Sequence, residues 1–146
     1  MDESLQELVD DWLTKASGDK KAAERLEPSE HEPDYDPALY GRAAFYWQQA
    51  AEKTLKAYLS ARSIVFGKTH DLERLVSLAA SIEDGFNPLG DAAATLAPFA
   101  VEIRYPGDWD ELSRDEYDEA KDAAREIIAF ATQRIDQESD TGTQAD

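Results

Sequence analysis

The sequence predicts an all-α protein, an up-and-down antiparallel bundle of about five helices. Three observations lead there. Apolar residues recur at three- and four-residue spacing in every longer segment, the period of an amphipathic helix. Breaks containing proline or glycine separate those segments. No stretch alternates as a strand does, and the run 63–66, which holds the β-branched Ile64 and Val65, is too short and too isolated to build a sheet. Short connections between the helices favour antiparallel neighbours.

The first helix is predicted to start at Ser4, which stands at capping-box spacing from Glu7. Leu5, Leu8, Val9, Trp12, Leu13 and Ala16 then share a face that Ala23 and Leu26 continue, so the helix runs to about Glu27 with Gly18 as a weak point. Pro28, Pro33 and Pro37, set among Ser29, Glu30, His31, Glu32, Asp34 and Asp36, make a polar connector that cannot be helical. Asp36 before Pro37 reads as an N-cap followed by a first-turn proline, and the second helix runs from there to about Arg62. Its apolar residues cover most of the circumference, which makes it the centre of the bundle. Thr69 is placed to cap a third helix with Leu72, Leu75, Val76, Ala79 and Ile82 on one face. A fourth spans Leu89 to about Glu102 and is kinked or broken at Pro98. Ser113 with Glu116 repeats the capping-box spacing ahead of a long last helix. Residues 1–136 thus read as one helical domain and residues 137–146 as a disordered acidic tail without an apolar anchor.

Composition removes several classes of function. With no cysteine, disulfides, thiolate catalysis and cysteine zinc sites are out, and two histidines leave little for a metal cluster, so no metal and no cofactor are expected. No apolar run reaches the roughly 20 residues of a membrane span, and the acidic N-terminus is unlike a signal peptide; a cytoplasmic protein is the expectation. The net charge of −17 argues against coating nucleic acid through a general positive field. The charge is unevenly spread. Residues 42–74 carry six basic groups against three acidic ones, a +3 island between flanks of −8 and −12. On a helical wheel Arg42, Gln49, Lys53, Lys56 and Ser60 fall within about 60° of one another, with Glu52 at the margin, leaving one narrow basic stripe on the second helix.

YWQQAAEKTLKAYL at residues 46–59, THDL at 69–72 and RYP at 104–106 ahead of a long last helix together resemble the HEPN domain family, named for nucleotide binding in higher eukaryotes and prokaryotes. The opening WLTKASGDKKAAERL fits as well, so the resemblance covers about residues 4 to 136. It implies a helical bundle, usually a homodimer, in prokaryotes often paired with a minimal nucleotidyltransferase in a toxin–antitoxin-like or defence context. Some branches are ribonucleases in which an arginine is followed, after about four to six residues, by a histidine near the start of the last helix. Here the positions after Arg104 that should offer it are Trp109, Asp110 and Glu111. An indole cannot shuttle protons, and carboxylates repel the scissile phosphate. Arg25 and His31 match the spacing but sit in the proline-rich connector, away from the family's site, and are read as coincidence.

The expected function is accordingly a nucleotide- or RNA-binding and protein-interaction module without ribonuclease catalysis, its phosphate contacts drawn from Arg42, Gln49, Lys53, Lys56, His70, Arg104 and Tyr105. Two alternatives stand beside it: a degenerate ribonuclease using Arg104 with His70, and a purely structural dimeric adaptor. Each candidate also has a structural reading. His70 can pack and hydrogen-bond at a helix start, the lysines can pair with carboxylates such as Glu102, Asp108 or Glu116, and Arg104 can satisfy helix-terminal carbonyls. Tyr46, Trp47 and Trp109 read as core or dimer anchors, with the dimer expected through apolar positions of the second and last helices.

Overall fold

The structure, a computed structural model, describes residues 1–101 and 112–144, the side chains of 138–144 excepted. Among the described residues five α-helices follow one another: α1 Glu3–Leu26, α2 Leu39–Ala61, α3 Leu72–Ile82, α4 Gly90–Leu96 and α5 Arg114–Gln144. Short 3₁₀ turns, Asp84–Leu89 and Ala97–Phe99, flank α4, and no strand occurs among the described residues. The fourth helix therefore breaks where Pro98 removes a backbone donor, as expected, and begins one residue past Leu89.

The helix starts show which caps prevail. Ser113 and Glu116 form the reciprocal box the sequence predicts: the Glu116 amide donates to Ser113 Oγ and the Ser113 amide to Glu116 Oε1, each at 3.1 Å. In α1 the cap is Asp2 instead of Ser4, its carboxylate accepting the Leu5 amide at 2.7 Å; a charged acceptor makes the stronger bond to a helix N-terminus. In α3 the cap is Asp71 instead of Thr69, and Thr69 Oγ1 accepts the Asp71 amide at 3.1 Å just upstream. α2 starts at Leu39, two residues after Pro37, because Asp36 accepts the Ala38 amide and closes a turn first. α5 keeps helical backbone to Gln144, beyond Gln137 where the sequence expects the tail to start; once a long helix exists, each added residue gains a hydrogen bond without a new nucleus.

α2 is the centre. It packs against α1, α5 and α3, while α4 closes the far side against α3 and α5. Seventeen of its residues are buried, so its near-continuous apolar circumference is explained by neighbours on several sides. α1 contributes Val9, Ala16 and Ala23 at seven-residue spacing, and α5 contributes Tyr117, Ala120, Ala124, Ile127, Ala131 and Ile135. Small residues at many of these positions allow the helices to approach closely around the large rings of Trp47, Tyr58, Phe86 and Tyr117. Among the described residues no helix is long and apolar enough to cross a membrane.

Candidate functional site

Polar residues recur every fourth position along α2, at Gln48, Glu52, Lys56 and Ser60, and all four are buried. Glu52, only 1% exposed, is the key member of this row, because a carboxylate shielded from water requires compensating partners. It has two. Lys56 Nζ lies 3.2 Å from Glu52 Oε2, one turn along the same helix, and Nδ1 of His70 lies 3.3 and 3.2 Å from the two carboxylate oxygens. Lys56 is also flanked by aromatic faces, 5.4 Å from the Trp12 ring centroid on α1 and 5.9 Å from that of Phe66, favourable distances for a cation over a π-system.

The α2–α3 connector delivers His70 to this place. After α2, Ser63 adopts φ 57° and Gly67 φ 70°, two left-handed residues that fold the chain back along the helix it has just left. Ile64 and Phe66 tuck against the core between them while Val65 points outward. His70 then precedes the Asp71 cap. Its side chain remains 73% exposed although Nδ1 is engaged, so the Nε2 edge lies towards solvent. A carboxylate only accepts, and the hydrogen of this contact therefore sits on Nδ1. The arrangement is a buried carboxylate orienting an exposed imidazole.

The expected exposed basic stripe does not exist as a continuous surface. Lys56 and Ser60 are buried, Gln49 is half-buried with its amide donating to Gln48 Oε1 at 2.7 Å, and Lys53 pairs with Asp19 of α1. The lysines do find carboxylates, but those of α1 and of α2 itself. Glu116 is engaged in capping α5, and Glu102 and Asp108 lie outside the described residues. Of the positive segment, Arg42, Lys68, His70 and Arg74 are exposed, while Arg62 meets Glu83 and the Tyr58 hydroxyl. Structure thus joins His70 to Lys56 and leaves Lys53 beside them in sequence but turned to Asp19. Arg42 is ten residues from Glu52, about 15 Å along the helix axis. Arg104, Tyr105 and Trp109 to Glu111 lie outside the described residues.

Sequence reasoning passed over Glu52 as a marginal member of the stripe, Trp12 as one of the apolar face of the first helix, and Phe66 as the end of the isolated run 63–66. The detectable signal was the four-residue polar repeat on a helix otherwise apolar all round: such a row has to face another helix, and a charge within it has to be paired. Gln48 Nε2, one turn before Glu52, is buried and has no hydrogen-bond partner among the described residues.

A second polar cluster joins three helices at the other end of α2. Trp47 Nε1 donates to the Tyr117 hydroxyl at 3.0 Å, and that hydroxyl donates to Glu27 Oε1 at 2.7 Å, which Lys121 Nζ also reaches at 2.8 Å. Burial raises the Glu27 carboxyl, but the hydrogen bonds from Lys121 and Tyr117 outweigh it and hold the group below the usual carboxylate range. Burial, and then the Glu27 contact, push the Tyr117 phenol up, and Tyr40 is pushed up to about 12 by its hydrogen bond with Tyr35 and by burial. Both phenols therefore serve as hydrogen-bonding groups and not as bases. Beside them is a cavity of about 200 Å³ lined in part by His31, Tyr40 and Arg114. Arg114 pairs with Glu30 at 3.3 Å and Asp118 at 3.8 Å, so its positive charge is taken up by carboxylates within the chain. His31 thus lines the same cavity as Arg114, while Arg25, its partner by spacing, is exposed in the last turn of α1.

Comparison with known proteins agrees with this fold. The crystal structure of an archaeal HEPN homologue superposes with a TM-score of 0.61 at 23% identity, the match covering 87% of this chain and 97% of that one. Comparison with curated proteins finds no match. The profile of the HEPN domain matches residues 9–135, nearly the whole helical bundle, and the chain belongs to the HEPN domain family.

Proposed function

We propose that this chain is a HEPN module that binds the phosphate of a nucleotide or RNA, forms a homodimer, and works with a nucleotidyltransferase partner without ribonuclease catalysis of its own. The observation that carries the ligand reading is the exposed His70 imidazole anchored by the buried Glu52, with Lys68 and Arg74 exposed on the same connector and the start of α3. Internal pairing cancels Lys53 and Lys56, so ligand contact falls to His70 and to the exposed cations, with Arg42 reached by a ligand long enough to follow α2. That length, about 15 Å, suits an oligonucleotide better than a mononucleotide. Dimerisation draws support from the half-buried Phe45 and Tyr46 on α2, packed edge to face at 5.1 Å, and from Ile128 and Phe130 on α5. The absence of a histidine at Trp109, Asp110 and Glu111 supports a binding role over catalysis.

The ribonuclease alternative, Arg104 with His70, gains one point in its favour: the Glu52 contact fixes the imidazole as a general base would be fixed. Cleavage of RNA by the native protein, lost in His70→Ala, would favour it. A thermal-shift panel of nucleotides and short RNAs on the native protein, His70→Ala and Arg74→Ala tests the binding reading. Ligand at about a hundred times its Kd adds about 2.7 kcal/mol, or roughly 5–10 °C in the midpoint for a domain of this size. A shift reduced by either substitution places that residue at the site. No shift with any ligand leaves the structural adaptor.

A further inference from the structure

We infer that His70 takes a ligand phosphate as an imidazolium, clasped between the Glu52 carboxylate at Nδ1 and a phosphate oxygen at Nε2, so that phosphate binding takes up a proton from solution. This rests on the phosphate-binding reading above and adds to it which atom makes the contact and what travels with it.

The charges around the ring lead to this. From α2 come Glu52 and Lys56, which cancel, and Lys53, which cancels against Asp19 of α1. α1 also brings Lys15, 5.9 Å from the Trp12 ring, and the connector brings Lys68 and Asp71 on either side of His70 in sequence. Little positive charge is therefore left over in a chain of net −17. With Nδ1–H committed to Glu52, a neutral imidazole turns the bare lone pair of Nε2 towards solvent, and that lone pair repels a phosphate oxygen. One proton on Nε2 reverses this. It converts the edge from acceptor to donor, adds a unit of positive charge where the ligand sits, and makes the contact a charge-assisted hydrogen bond, while Glu52 on the opposite edge stabilises the cation. Glu52 is the positioning residue: at 1% exposure it is held by α2, and the ring it orients is mostly in water. Because His70 is so exposed, its removal takes away a ligand contact while leaving the Lys56–Glu52 pair in place.

The test uses the full chain and an oligouridylate of about ten nucleotides, a phosphodiester that does not itself titrate near neutrality. Calorimetric titrations around pH 7 in buffers of different ionisation enthalpy report proton uptake directly, and affinity is followed between about pH 5 and 8. The native protein should take up protons on binding and lose up to about tenfold in affinity per pH unit on the alkaline side. His70→Ala should bind more weakly, with neither proton uptake nor the pH dependence, at a nearly unchanged melting midpoint. Glu52→Gln should lose the ordered Nδ1–H resonance in imidazole NMR spectra and bind more weakly than the native protein at each pH. Binding by His70→Ala with the native affinity and pH profile overturns the inference and leaves the module reading standing. Failure of the native protein to bind at any pH overturns both.

Discussion

Lys56→Ala is expected to lower the unfolding free energy by about 3–5 kcal/mol, which for a domain of this size corresponds to a drop of roughly 10 °C in the melting midpoint. The reason lies with its partner. Glu52 is 1% exposed, and removing the ammonium leaves the carboxylate buried with only His70 to compensate it. The aromatic faces of Trp12 and Phe66 lose their cation as well. Chemical denaturation of the variant checks the figure, and a loss under about 1 kcal/mol would mean that water reaches the pair. The double variant Glu52→Leu with Lys56→Met separates stability from function. Replacing a buried ion pair by apolar residues of similar size is often neutral or stabilising, so the double variant should recover most of the loss. It should nevertheless fail to hold His70 in place.

Trp47→Ala is expected to cost a comparable 3–5 kcal/mol, through a different mechanism. The indole is 1% exposed in the N-terminal half of α2, and truncating it opens a cavity between α2 and α5 that the small residues around it cannot fill. It also removes the donor to the Tyr117 hydroxyl, by which α2 joins the Tyr117–Glu27 contact between α5 and the end of α1. Trp47→Phe keeps much of the volume and isolates the hydrogen bond, at about 0.5–1.5 kcal/mol. The two variants are distinguished by their denaturation midpoints measured side by side. An alanine variant no worse than phenylalanine would show that the helices collapse into the gap.

The architecture was legible in the sequence because it depends on period and punctuation, which are local. Leu72, Leu75, Val76 and Ala79 form the inner face of α3 as their spacing requires, and the Ser113–Glu116 box stands where it was read. Caps were less secure where two acceptors lay within a turn, since Asp2 displaces Ser4 and Asp71 displaces Thr69 at the price of no other change. The site was harder to read for a physical reason. Whether a lysine on α2 is free or paired depends on which carboxylate the next helix sets opposite it, and Asp19 is 34 positions from Lys53. A charge total over residues 42–74 counts both kinds alike. His70 lies against Glu52, the partner of Lys56, but this anchor was hidden because a wheel assigns direction without saying which direction is buried.

Most direct for the account as a whole is amide chemical-shift mapping of the native protein titrated with a short oligoribonucleotide. Binding at the corner of α2 and the α2–α3 connector predicts that the largest shifts fall on Lys68 to Asp71 and on Glu52 and Lys53, with smaller ones reaching Arg42. Shifts confined to the Glu27, Tyr40 and Arg114 cluster, or no shifts at saturating RNA, would contradict it.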